Sequence, residues 1–142
     1  MHIESAAPKH IPAFVAAMAP FDRAQSDDPA VLLAHIMAES VHTFAGMVDG
    51  QPVFIGGVRP DQDRSAGMVW MLGNPGIDRA KKFYVKATRE QVASMLTMFP
   101  RLYTFVDVRY PKSLRWLRAM GFQISAPFEW QGREVVQVER FA

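Results

Sequence analysis

Gly67-Met68-Val69-Trp70-Met71-Leu72 is a run without a charge or a hydroxyl, and Gly73-Asn74-Pro75-Gly76 ends it. A short, nearly continuous apolar run bounded by turn residues is what a strand buried on both faces requires, so this segment is expected at the centre of a sheet. Beyond the break the period changes. From about Asp78, the residues Ala80, Phe83, Tyr84, Ala87, Val92, Met95 and Phe99 recur at helical spacing, and Pro100 closes the helix they describe. Leu102 to Val108 reads as a second strand.

Working toward the N-terminus, Asp61 to Ser65 is a polar loop, and His42 to Val48 and Gln51 to Val58 are β-rich runs separated by Asp49-Gly50, a strong two-residue hairpin sequence. Ahead of them, Ser26-Asp27-Asp28-Pro29 supplies a capping carboxylate and a proline suited to a first helical turn. Leu32, Leu33, Ile36 and Met37 form the stripe of that helix, which runs to about Ser40. Ile11, Phe14, Val15 and Met18 mark an earlier helix ended by Pro20, and His2 to Ser5 a first strand. Toward the C-terminus, Pro111 to Met120 is a helix stopped by Gly121, and Phe122 to Phe128 pairs with Arg133 to Arg140 across a turn at Trp130-Gln131-Gly132. The order is strand, two helices, three strands, long helix, strand, helix, two strands, an α/β (α+β) chain without repeats or low-complexity linkers.

At 142 residues this is one ordinary domain, spanning 1–142, with enough chain to bury a core unaided. Hydrophobic residues at 49% and charged residues at 21% lie in the globular range. A net charge of +2 gives no basic excess for a nucleic-acid backbone. The absence of cysteine excludes thiol nucleophiles, disulfides and zinc ribbons and fits a reducing compartment. Met1 to Lys9 lacks the pattern of a secretion signal, and no apolar stretch is long enough to span a membrane. There is no Gly-x-Ser-x-Gly elbow, no phosphate-cradling Gly-Lys-Ser loop and no metal-ligand spacing among His2, His10, His35 and His42, which removes the usual support for hydrolase, nucleotide triphosphatase and metal chemistry.

A three-strand meander, a long helix and then strand-helix-strand closing on Gly121-Phe122 resembles the GNAT N-acetyltransferase superfamily over essentially the whole chain, most clearly at Leu114 to Phe122. Within it, Phe21-Asp22-Arg23, Gly67 to Gly73, Phe99-Pro100-Arg101-Leu102 and Arg115-Trp116-Leu117-Arg118-Ala119-Met120-Gly121-Phe122 resemble a phage-encoded acetyltransferase-like family, mostly of short-tailed phages. The resemblance implies a GNAT-like mixed central sheet of about six to seven strands with about four helices on both faces. It also implies an opening between parallel strands at Met68 to Leu72 and Leu102 to Val108, where superfamily members hold acetyl-CoA. Unpaired peptide groups at such strand ends suit the amides of a pantetheine arm, and a helix N-terminus suits its pyrophosphate. Location in the host cytoplasm or the virion is implied with it.

The site residues expected on this basis are Met71, Leu72, Gly73, Asn74 and Gly76 for pantetheine and pyrophosphate, with Arg79, Lys81 and Lys82, early in the following helix, to neutralise phosphates. A bulky residue at Gly76 is expected to weaken coenzyme A binding without harming the fold. The loop departs from the superfamily pattern, since Pro75 removes an amide and Asp78 adds a negative charge. The tyrosine with which superfamily enzymes protonate the departing thiolate is replaced by Leu117, leaving Tyr110, at the start of the same helix, as the candidate acid. Glu39 and Asp107 are the candidate proton acceptors, with His42 a further base that is equally suited to a structural hydrogen bond. Two readings remain: an acetyl-CoA-dependent N-acyltransferase acting on a small amine or a host or phage protein, and a catalytically inactive GNAT-fold phage accessory or internal virion protein that binds other proteins. A sheet edge at Arg133 to Arg140 is either the seam of a homodimer or covered within one chain.

Overall fold

Aspartate and glycine at a two-residue turn are the residues that tolerate positive φ, and in a computed structural model of the protein, which describes residues 1–142, Asp49 and Gly50 sit at φ 52° and 75°. They join β2 (Val41–Val48) to β3 (Gln51–Pro60). The remaining strands are β1 (His2–Glu4), β4 (Ala66–Gly73), β5 (Arg101–Asp107), β6 (Gln123–Ile124), β7 (Phe128–Trp130) and β8 (Arg133–Phe141). The helices are α1 (Ile11–Ala16), α2 (Pro20–Arg23), α3 (Pro29–Ala38), α4 (Lys81–Met98) and α5 (Pro111–Ala119). The sheet order is β1-β2-β3-β4-β5-β8-β6, with β7 also on β8, and β4 lies at its middle as its apolar run required. β1 with β2, β2 with β3, and β8 with β5, β6 and β7 pair antiparallel, and β4 with β5 pairs parallel.

The chain divides into two compact units, Met1–Arg59 with Trp70–Gln91, and Pro60–Val69 with Val92–Ala142. In the first, the β2–β3 hairpin is buried on both faces. Ala45, Met47 and Ile55 pack with Ile11 and Phe14 of α1 and Leu33 of α3, and Trp70 packs against this cluster. On the other face Phe54 meets Phe83 and Tyr84 of α4 at ring distances of 5.8 and 5.1 Å. Gly46 lies opposite Phe54, and a Cβ there would come within 2.1 Å of the Phe54 ring, so glycine makes room for it. Asp28 caps α3 by accepting the Val31 amide at 3.2 Å.

In the second unit β5 and β8 pair along their length, and Leu102, Val136 and Val138 are buried, as are Val92, Met95 and Phe99 of the α4 region and Leu117, Met120 and Phe122 of the α5 region. Gly121, at φ 88°, ends α5: the Phe122 amide reaches the Leu117 carbonyl and the Gly121 amide the Arg118 carbonyl, each at 3.0 Å. Arg140 then donates to the Met120 carbonyl at 2.7 Å.

Several elements differ from the sequence expectation. There are eight strands and five α-helices. The extra helix is α2, which Pro20 opens after α1 has already ended at Ala16. The extra strand arises because Phe122 to Phe128 is not continuous. Ser125-Ala126-Pro127 bulges out between β6 and β7, so that both segments pair with β8, and the turn proper is Gln131-Gly132. Arg133 to Arg140 is therefore not a free edge. Helix α4 starts at Lys81, three residues later than expected, because Pro75–Arg79 form a tighter 3₁₀ turn and Ala80 breaks the helical path at φ −145° and ψ 40°. Leu32 is exposed, and α3 packs through Leu33 with Ile36 and Met37. Burial of β4 on both faces holds for Ala66 and Gly67 but weakens from Trp70 to Leu72.

Candidate cofactor and active site

The parallel pairing of β4 with β5 is short. It runs Ala66↔Arg101, Gly67↔Leu102, Met68↔Tyr103 and is not continued at Val69 and Thr104, although β4 extends to Gly73 and β5 to Asp107. On β4, Met71 is half-buried and Leu72 exposed.

The loop after β4 is held by Asn74. Its amide donates to the Val53 carbonyl and its side-chain Nδ2 to the Pro52 carbonyl, both at 3.0 Å, while its Oδ1 accepts the Gly76 amide at 2.9 Å. The side chain is buried, as these satisfied bonds allow. It thus anchors the loop to β3. The Ile77 amide goes to the Asn74 carbonyl, the Ala80 amide to the Ile77 carbonyl, and Pro75 has none. The amides of Gly76 and Ile77 are engaged within the loop. The next donors are those of Lys81, Lys82 and Phe83, which precede the first bond of α4, from the Tyr84 amide to the Ala80 carbonyl at 2.9 Å. Gly73 and Gly76 are small for packing reasons: a Cβ would lie 2.5 Å from Ile77 Cδ1 and 2.4 Å from Val53 Cγ1, respectively. A bulky residue at Gly76 would therefore displace the loop, contrary to the expectation that the fold would not notice it.

The exposed cations lie on α4. Lys81, Lys82, Lys86 and Arg89 line a shallow concavity with Val85 and Glu90, and none of the four forms an ion pair. Arg79 sits before the helix, not in it, and its guanidinium is 4.0 Å from Asp49. Lys86 and Arg89 were not singled out from sequence, yet Lys82, Lys86 and Arg89 recur at helical spacing on one face.

The candidate proton-transfer groups fall in different units and each is tied locally. Glu39, the C-cap of α3, pairs with Arg59 at 3.3 Å and with His35 one turn earlier. Asp107 accepts the side chain of Arg109, with contacts from 2.8 to 3.1 Å, and its amide at 2.9 Å. These bonds hold the Asp107 carboxyl below its usual range, the side-chain bond most strongly, which makes it a weak proton acceptor. Tyr110 is the half-buried N-cap of α5, and its amide donates to the Asp107 carbonyl at 3.0 Å. Leu117 is buried core. Tyr84 lies in the aromatic cluster, where burial pushes its phenol well up, and the Tyr103 hydroxyl donates to Asp61 at 2.6 Å. His42 has φ 54° at an irregularity of β2, and its Nε2 is 2.8 Å from the Gln91 amide oxygen. No group of residues is disposed to hold a metal ion, and no helix is long and apolar enough to cross a membrane.

Solved structures align with the chain along its whole length. An acetyltransferase of the GNAT family from Streptococcus pneumoniae aligns over 99% of this chain and 98% of its own, with a TM-score of 0.69 and 14% identity. This is the GNAT fold. A ribosomal-protein-alanine N-acetyltransferase from Brucella melitensis aligns over 100% of both chains at a TM-score of 0.70 and 13% identity. An aminoglycoside acetyltransferase in complex with coenzyme A reaches 0.75 at 12% identity, over 98% of this chain and 93% of its own. No family model matches the sequence, and no curated protein does.

Proposed function

We propose that the protein is a coenzyme A-dependent N-acyltransferase that moves an acyl group to an amine. The observation that carries this reading is the row of unpaired cations, Lys81, Lys82, Lys86 and Arg89, on the helix that follows the central strand of a GNAT fold. Coenzyme A carries several phosphate charges, and exposed cations beside free helix-terminal amides are a fitting cradle for them. In this arrangement the Lys81, Lys82 and Phe83 amides meet phosphate oxygens, the lysines and Arg89 add charge, and the backbone of Met71 to Gly73 pairs with pantetheine amides. Asn74 does not touch the cofactor but fixes the loop. The bound thioester supplies an activated carbonyl. The amine forms its bond to that carbon as the carbon–sulfur bond breaks, and Tyr110 is the group assigned to return a proton to the sulfur. The proton the amine loses goes to a carboxylate, and both candidates are held within the chain, Glu39 by Arg59 and His35 and Asp107 by Arg109.

The test is calorimetry and thermal shift with acetyl-CoA at millimolar concentration, with 3′-dephospho-CoA as comparison. Binding weakened by loss of the 3′-phosphate is expected. Neither heat nor stabilisation would remove the reading.

A second reading, a catalytically silent phage accessory or internal virion protein, is favoured by the buried Leu117, where the superfamily's acid would stand, and by the engaged Asp107. Binding of acetyl-CoA without release of free thiol across polyamines, aminoglycosides and lysine peptides would select it.

A further inference from the structure

Helix α4 buries Ala87 and Thr88 and sets Tyr84 against Phe54 of β3. Its other side leaves Lys81, Lys82, Val85, Lys86 and Arg89 exposed in one shallow concavity, with Glu90 at the edge. Val85, 37% exposed, is an apolar centre among cations that no ion pair engages. A small ligand is ordinarily held in a pocket that covers most of its surface, and this face is open. An apolar centre with a charged rim is how one protein surface meets another. The row is also long. From Lys82 to Arg89 it runs roughly 10 Å along the axis, beyond the about 8 Å over which charges act at physiological salt. An anion at the first turn therefore leaves Arg89 to be met by a second anionic group further along. The loop ahead of the helix, in the same compact unit, points the same way. The Gly76 and Ile77 amides are bonded to Asn74 and Pro75 has none, so this segment offers little to a diphosphate. A pantetheine arm joined to a protein through a single phosphodiester asks less of it.

We propose, on the acyl-transfer reading above, that the acyl donor is a pantetheine thioester carried on an acidic protein, and that this face of α4 is where the carrier docks. In the docked pair, acidic side chains of a carrier helix meet Lys82, Lys86 and Arg89, and an apolar side chain covers Val85. The phosphodiester of the arm lies at the start of α4 beside Lys81, and the arm runs from there along Met71 to Gly73. The chemistry is that of the free coenzyme. The amine nitrogen bonds to the thioester carbon as the carbon–sulfur bond breaks, and the electron pair leaves on sulfur. One proton is lost from nitrogen and one gained by sulfur, and the thiol departs still attached to the carrier. A nucleic acid also offers anions in a row, but its backbone has nothing apolar to set on Val85. A net charge of +2 supplies no wider basic surface for it. Glu90 at the edge of the face repels a continuous polyanion and favours a partner whose acids are individually placed.

Fluorescence anisotropy with an acidic acyl carrier protein bearing an acetyl-phosphopantetheine arm, run beside calorimetry with acetyl-CoA, tests this pairing. Saturable binding of the loaded carrier is expected in the micromolar range, weaker as salt rises. The carrier without its arm should bind about tenfold less tightly or worse, and excess acetyl-CoA should displace the loaded one. Val85→Gln should weaken the carrier by about fivefold or more and leave acetyl-CoA binding within about twofold, since a neutral side chain there changes no charge. Lys86→Glu/Arg89→Glu should abolish carrier binding while keeping its far-ultraviolet circular dichroism. With polyamines, aminoglycosides or lysine peptides as acceptors, the loaded carrier should lose its acetyl group faster than acetyl-CoA at equal concentration. Acetyl-CoA bound or consumed in preference to the loaded carrier overturns the proposal and leaves the coenzyme A reading standing, whereas binding of neither donor removes both. A carrier held equally well without its arm, or indifferent to both variants, also overturns it. So does a single-stranded oligonucleotide that competes as well as the carrier, which would give the face to a polyanion.

Discussion

The hairpin of β2 and β3 and the hairpin of β7 and β8 turn on nearly the same backbone: Asp49 and Gly50 at φ 52° and 75°, Gln131 and Gly132 at 50° and 75°. Their side chains then part ways. The first hairpin is covered on both faces, with Phe54 fully buried over Gly46, whereas the second leaves Phe128 and Trp130 in water. A turn is a local matter of which residues accept positive φ. What the strands bury depends on which elements the rest of the chain lays over them, and aromatic residues alone do not reveal it.

Phe54 is where that contrast is most exposed to failure. Phe54→Ala should cost about 3–5 kcal/mol in urea unfolding, while Phe128→Ala, measured at dilute protein, should cost less than about 1 kcal/mol. Equal losses would erase the distinction between the hairpins. Gly46→Ala should cost about 3 kcal/mol through overpacking against Phe54, and combining it with Phe54→Ala should cost less than the two single changes added together. The turns themselves should behave alike. No atom lies within 4 Å of a Cβ built at Gly50 or Gly132, so Gly→Ala at each should cost about 1 kcal/mol from backbone conformation only. A marked inequality would mean that one turn is set by more than its φ angles.

On α4, Lys82→Ala and Lys86→Ala should leave the unfolding midpoint almost unchanged and weaken acetyl-CoA binding by roughly two- to tenfold each, with a smaller loss at high salt. Affinity that ignores both changes would move the phosphates away from this helix. The smallest expected effect is acid sensitivity at the β5 end. Asp107 has its folded pKa below the ordinary 3.8 of an aspartate because Arg109 binds its charged form. Above that value the carboxylate is ionised in folded and unfolded chains alike and its contribution is complete. As pH falls below it the unfolded chain takes up the proton first, so the contribution is lost toward the lower folded pKa. Asp107→Asn should therefore flatten the decline in urea midpoint between pH 5 and pH 3 slightly (roughly, on the scale of one carboxylate), and an unchanged slope would mean that the Arg109 pair adds nothing.

Much of the architecture was legible because each element carries its own local chemistry. Asp28-Pro29 caps a helix, Asp49-Gly50 makes a hairpin, Gly121 ends α5, and the Gly67 to Leu72 run lies mid-sheet. The start of α4 was misplaced because Ala80 and Asp78 read as helical by type, and the turn at Pro75–Arg79 is imposed by Asn74 bonding back to β3. The split of β6 from β7 was hidden for a similar reason. Only the pairing with β8 exposes the bulge.

The candidate site divides along the same line. Basic residues early in the helix that follows a loop can be seen in a sequence, and Lys81 and Lys82 were found that way, while the repeat of Lys82, Lys86 and Arg89 on one face was passed over. Whether an acid or an amide is available for chemistry depends on partners elsewhere in the chain. Nothing adjacent to Glu39 announces Arg59, nothing in Gly73-Asn74-Pro75-Gly76 shows that the Gly76 amide is already bonded, and Gly76 gives no hint of Val53 against it. The sequence by itself determined the order of elements, their caps and turns and the central strand, since propensity and periodicity act over a few residues. Which polar groups are free, and which aromatic face meets water, was decided by the tertiary structure, because hydrogen bonding and burial join residues that the chain keeps apart.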